Sequence, residues 1–284
     1  MYIQLISRYF WFIIELLISK EVTLTAMRIA LLSDIHGNPI ALDAVIRDIQ
    51  AQGGVDMYWI LGDMAAIGYD PVGVLQRLTE LPDVHFVRGN TERYVVKGDR
   101  PGPTFEEAQA DLVILQQLVD INNSFSWTQG VVTVTEWFEW MASLPIERRM
   151  ELPDGTRLLG VHASPGRDGG RGMRPDVSDA ELQSLLAGRD FDLLCVGHTH
   201  WPMDFTVEDM RIVNLGSVSN PLPPDLRASY VILEAGKQGY QIQHCLVDYN
   251  HQAVIAAVKQ SHHPAGKYII SHMLGQRQPP WAQK

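Results

Sequence analysis

Cysteine is almost absent: Cys195 and Cys245 are the two in 284 residues, far apart and outside any metal-ligand spacing. That excludes a disulfide scaffold and fits a reducing compartment, so a cytoplasmic protein is expected. Long basic runs are missing too, and the formal net charge is −10. An extended nucleic-acid surface, which needs clustered Lys and Arg, is therefore not expected. No stretch has the roughly twenty uninterrupted apolar residues of a spanning helix. The most apolar segment, Tyr9–Ile14, is bracketed by Arg8, Glu15 and Lys20. Residues 1–26 read as an apolar extension, helical or unstructured, with a membrane-surface anchor as the alternative and no convincing signal-peptide cleavage site. Repeats and low-complexity linkers are also lacking, so 27–284 reads as one domain. With 46% apolar residues it can build a sizeable core.

What is present is a series of apolar runs that each end in polar residues. Arg28–Leu32 leads into Ser33-Asp34-Ile35-His36-Gly37-Asn38, and Ile40, Leu42, Val45, Ile46 and Ile49 then follow a helical period. Met57–Leu61 ends in Gly62-Asp63, a helix is predicted near Pro71–Leu81, and Val84–Arg88 ends in Gly89-Asn90. Strands alternating with helices predict a mostly parallel sheet, with the polar ends on one edge. Residues 95–145 break the pattern. Thr104–Glu107 reads as a capping box opening a helix to about Asp120, and Thr133–Glu136 as a cap for a second helix, together a helical insertion.

From 146 the pattern turns to strands. Arg148–Leu152 and Thr156–Val161 flank the turn signal Pro153-Asp154-Gly155, and the second strand ends at His162. Phe191–Val196, after a helix at Asp179–Ala187, ends in Gly197-His198-Thr199-His200. A hairpin around Glu208-Asp209, strands near Ser229–Leu233 and Tyr240–Val247, and a helical tail complete an α/β sandwich of two packed sheets with helices outside.

The candidate site is the set of side chains at the strand ends: Asp34, His36, Asp63, Asn90, His162, His198 and His200. Imidazole and oxygen donors in this mixture suit a pair of borderline divalent ions, and the two carboxylate oxygens of Asp63 can reach both. In an extended segment Asp34 and His36, two residues apart, would face one point.

These blocks resemble the five motif blocks of the calcineurin-like metallophosphoesterases: Asp34-x-His36, Gly62-Asp63, Gly89-Asn90, His162 and Gly197-His198-Thr199-His200. The opening Ser-Asp-Ile-His-Gly-Asn and the loop Asn214-Leu215-Gly216-Ser217-Val218 are similar to its small bacterial and archaeal phosphodiesterase branch. The resemblance runs from Met27 to about Leu246. It implies two mixed sheets flanked by helices. It also implies two metal ions (Mn, Fe, Ni or Zn), one held by Asp34, His36, Asp63 and His200, the other by Asp63, Asn90, His162 and His198. Phosphodiester hydrolysis by a metal-bridging hydroxide is the implied activity, with Asn90, Asp63 and His162 as catalytic residues and a small phosphoester or nucleotide-type compound as substrate. Most of the family has His and Asp after the Asn, where this chain has Thr91 and Glu92. Thr91 cannot titrate near neutral pH, so it is no general acid. This counts against phosphomonoesterase activity and leaves a non-catalytic scaffold as the rival reading. Metal identity and oligomeric state stay open.

Other residues carry two readings each. Arg167, Arg171 and Arg174 are phosphate contacts or a solvated loop; Arg88 and Arg93 read as partners of nearby carboxylates. Asn38 and Asp70 are site groups or loop caps. His244, His262, His263 and His272 read as surface residues, His85 as core or surface, and Cys195 as an inert core thiol.

Overall fold

A computed structural model describes residues 26–188 and 190–282. The extension over 1–26 thus lies almost wholly outside the described residues. In chain order the elements begin β1 (Met27–Leu32), α1 (Pro39–Ala51), β2 (Met57–Leu61), α2 (Pro71–Thr79), β3 (Val84–Val87) and α3 (Asn90–Lys97). A helical segment follows: α4 (Phe105–Ala110), α5 (Leu112–Val134) and α6 (Phe138–Ala142). Then come β4 (Glu147–Glu151), β5 (Arg157–Val161), α7 (Asp179–Leu186), β6 (Leu193–Val196), β7 (Met203–Val207) and β8 (Met210–Asn214). The chain closes with β9 (Ala228–Gly236), β10 (Gly239–Val247), α8 (His251–Gln260) and α9 (Gly266–Met273). None of the described helices is long and apolar enough to cross a membrane.

The strands form two five-stranded sheets, β10-β9-β1-β2-β3 and β4-β5-β6-β8-β7. β1, β2 and β3 run parallel, as do β5, β6 and β8. Side-chain alternation explains the layering. Ile29 and Leu31 on β1 face inward with Trp59, Leu61, Leu158, Leu193, Cys195 and Val213, forming the core between the sheets. Ala30 and Leu32 point the other way and pack with Leu42, Val45 and Ile49 of α1 and Val74 and Leu78 of α2. On the far side Leu159, Val161, Leu194 and Val196 meet Leu182 and Leu186 of α7. Gly160 lets the sheets approach, because a Cβ there would lie 2.8 Å from the Trp59 ring.

The helical segment differs from expectation. Thr104 does cap α4, accepting the Glu107 N–H at 3.2 Å. The chain then breaks at Asp111, whose carboxylate accepts the Val113 N–H at 2.7 Å and starts a 23-residue helix. That helix runs straight through the expected cap at Thr133, and Glu136 adopts φ 65° before α6 begins. Packing of Phe125 and Val132 into the core outweighs the local capping preference.

Candidate metal centre

Because β1, β2, β3, β5 and β6 have parallel partners, their carboxyl ends bring all seven candidate donors to one edge. The expected extended backbone at Asp34 and His36 is not found. Asp34, His36, Asp63, His198 and His200 all take left-handed φ, between 48° and 69°. These turns aim the side chains sideways into the site, and the surrounding loops hold that uncommon conformation. Gly62 (φ 85°) passes so close to Gly89 that a Cβ would lie 2.5 Å from the Gly89 N.

Asp34, His36 and His200 bring donor atoms within 4.8 Å of one another, and so do Asp34, Asp63 and His162. His36 Nε2 lies 3.2 Å from His200 Nε2, and His200 Nε2 lies 3.1 Å from Asp34 Oδ1. Asp63 turns Oδ2 toward His36 Nε2, at 3.9 Å, and Oδ1 toward His162 Nε2, at 3.3 Å. Asn90 Oδ1 faces two more imidazoles, 2.9 Å from His162 Nε2 and 2.7 Å from His198 Nδ1.

The outward nitrogens decide what this cluster fits. His36 Nδ1 donates to Ala66 O (2.9 Å), His200 Nδ1 to Asn220 O (2.7 Å) and His162 Nδ1 to Leu61 O (2.7 Å). His198 Nε2 donates to Gly170 O at 2.8 Å. A carbonyl can only accept, so each neutral ring turns a lone pair inward. The centre is then a ring of acceptors with too few hydrogens among them. Asp34 Oδ1, fully buried, has no hydrogen-bond donor among the described residues. Such a set fits cations. With protons alone the strain falls on His162: burial opposes its charge, but the Asp63 carboxylate overrides this and pushes it up to about 10. Burial likewise opposes the charge on Asp63, and His162 holds that carboxyl well below its usual range.

Two further residues brace the centre. Glu92 is 1% exposed, and its carboxylate accepts the backbone N–H groups of Asp63, Met64 and Gly89, each at 2.8 Å. Burial and the Asp63 charge nevertheless push it up to about 7. Thr91 donates its N–H (2.9 Å) and hydroxyl (3.0 Å) to Asp63 Oδ1. The sequence marks 91 and 92 as a departure from the family pattern, but no spacing reveals that both reach back to Asp63.

The remaining candidates sort by geometry. Asp168 takes both Arg88 (2.7 Å) and Arg93 (2.9 Å), as their reading as carboxylate partners required. Arg171 and Arg174 pair with Asp176. Arg167 stays exposed on the turn after His162, closed by the bond from its N–H to Ser164 O at 2.9 Å. Asn38 and Asp70 cap α1 and α2, and Asn38 also donates to Ser219 Oγ at 3.0 Å. Cys195 is a buried free thiol. The surface reading fails for His263 and His272, which are 6% and 8% exposed: the His263 ring packs against Trp127 of α5, and His272 lies on the buried face of α9.

Comparison with known proteins gives the same family as the motif blocks. The model of the calcineurin-like phosphoesterase superfamily domain matches residues 27–238. An uncharacterized protein of Methanocaldococcus jannaschii is 26% identical over 268 residues, covering 88% of this chain and 96% of that one. UDP-2,3-diacylglucosamine hydrolase of Chromohalobacter salexigens is 28% identical over 214 residues, 64% of this chain and 84% of that one. Among solved structures, a metallophosphoesterase of Sphaerobacter thermophilus superposes with a TM-score of 0.64 at 24% identity, covering 89% of this chain and 100% of that one. A hypothetical protein of Pyrococcus horikoshii does so with a TM-score of 0.71 at 19% identity, covering 87% and 97%. At those identities the structures speak for the fold.

Proposed function

The chain belongs to the calcineurin-like phosphoesterase superfamily, and we propose from that premise that it is a two-metal phosphodiesterase. Asp34, His36, Asp63 and His200 would hold one cation, and Asp63, Asn90, His162 and His198 the other. The observation that carries this reading is the split of Asp63, with Oδ2 toward His36 and Oδ1 toward His162. A carboxylate so turned suits a bridge. Bound divalent ions of this kind polarise phosphoryl oxygens and generate a hydroxide nucleophile from water near neutral pH.

The chain's own groups then hold and orient. Backbone carbonyls fix each imidazole with its lone pair inward, and Glu92 and Thr91 fix Asp63. Asn90, with Oδ1 among the ring nitrogens, keeps its amide hydrogens for a phosphoryl oxygen. Arg167, which unlike Arg171 and Arg174 pairs with no carboxylate among the described residues, is the candidate contact for substrate charge. Thr91 supplies no acid for the leaving oxygen, so diesters with good leaving groups are preferred over monoesters. The substrate class is a small, nucleotide-type phosphodiester; the Chromohalobacter relative is named for a UDP-linked sugar. Manganese is one of several ions this donor set accepts. Two buried thiols suit a reducing cytoplasm.

The test is to strip the protein with a chelator, restore Mn²⁺, Ni²⁺ or Zn²⁺, and follow bis-nitrophenyl phosphate beside nitrophenyl phosphate. Metal-dependent turnover with the diester ahead is expected. A protein that binds the ions and turns over neither ester is the scaffold instead.

A further inference from the structure

Away from the donor cluster, α5, α8 and α9 border a cavity of about 640 Å³. That volume lies within the roughly 300–1,000 Å³ of small-ligand sites. None of the seven candidate metal donors lines it. The chain as a whole is acidic, yet Lys259, Lys267, His262 and His263 gather here against one carboxylate, Asp120, which is engaged by Gln116 Nε2 at 3.0 Å. Both lysines are exposed, and neither has an ion-pair partner among the described residues.

Two features besides the lysines ask for an acceptor. No side chain caps the eight-residue helix α9, and its first residues, Gly266 and Lys267, line the cavity. The Gly266 N–H is taken by His263 O at 3.0 Å, but that of Lys267 has no acceptor among the described residues, and an unmet first-turn N–H favours anions. His263 lines the cavity as well, with its ring edge-on to Trp127 at 4.4 Å between centroids. Its Nδ1 accepts the Ala265 N–H at 3.1 Å, which leaves the ring hydrogen on Nε2. That buried Nε2 has no partner among the described residues. A buried donor left unmet is costly, so natural proteins seldom leave one without a use.

We propose that this cavity is a second anion site, which takes the phosphate group of a small phosphorylated molecule. Lys259 and Lys267 supply charge, the Lys267 backbone and His263 supply N–H donors, and Val258 and Ile270 offer apolar surface to the organic part. The site stands whether or not the metal centre is a phosphodiesterase.

The experiment compares metal-loaded wild type with the Lys259→Gln/Lys267→Gln double variant by equilibrium dialysis against orthophosphate, with AMP and adenosine as competitors. Both lysines are exposed, so the variant is expected to fold and to keep its turnover. Wild type should bind one more phosphate per chain than the variant, and AMP but not adenosine should displace it. Equal phosphate stoichiometry in the two proteins overturns the proposal, as does displacement by adenosine as effective as that by AMP.

Discussion

Glu92 Oε2 accepts the backbone N–H of Asp63 at 2.8 Å, and the same oxygen accepts the N–H of Gly89. One buried carboxylate thereby ties the loop after β2 to the start of α3, and so ties Asp63 to Asn90. Glutamine at 92 has a single carbonyl oxygen, and its amide hydrogens would confront at least one backbone N–H. Glu92→Gln should cost about 1–3 kcal/mol of stability and weaken cation binding about 10- to 100-fold. A denaturant titration with a parallel metal titration checks both, and unchanged metal affinity would refute the bracing role.

Asp63→Ala should lose both cations together and bring turnover to background, since each carboxylate oxygen serves a different donor group. Metal content per chain, measured after dialysis, decides it. One ion retained at full affinity would mean that Asp63 does not bridge.

Thr91→Val keeps the shape of the side chain and removes the hydroxyl donated to Asp63 Oδ1. A loss of about 1.5–3 kcal/mol is expected, in line with other hydrogen bonds to charged groups. The ratio of diester to monoester turnover should stay fixed, because Thr91 holds Asp63 and moves no proton. A changed ratio would place the hydroxyl at the leaving group.

Burial pushes His263 down to about 4 from an ordinary 6.5. Below pH 6.5 the unfolded chain takes up a proton that the folded chain refuses, so folding loses stability as the pH falls and stops losing it near pH 4. The contribution is fully present above that window. It amounts to about 2 kcal/mol once solvent screening at the ring is allowed for. His263→Gln should therefore flatten the stability curve across this range, as thermal midpoints in graded buffers would show. Parallel curves for the two proteins would contradict the assignment.

Much of this architecture is legible in the order of residues. Runs such as Ile29–Leu32 and Leu193–Val196 announce buried strands, and the polar residues that end them collect on one edge because their strands run in parallel. That rule gathers the seven candidate donors. The means of convergence is not legible: left-handed φ at Asp34 and His200 depends on loops from both sheets, which no local pattern encodes. Glu92 stands out in sequence only as a departure from the family pattern; that it caps α3 shows in the structure, and its three-way grip needs Gly62 and Gly89 to lie in contact. Nor does the His262-His263 pair reveal that one ring is exposed and the other packed against Trp127, since that depends on α5 running on past Asp120.

Asp34, His36, Asp63 and Asn90 hang from one sheet, and His162, His198 and His200 from the other. Ions seated among them would rivet the two halves of the sandwich along a single seam. Anything that binds only the folded form raises its melting point in proportion to the logarithm of its concentration. The heat resistance of this protein would thus track the trace-metal supply of its surroundings, and starvation for those ions would loosen the whole body as well as silence its chemistry.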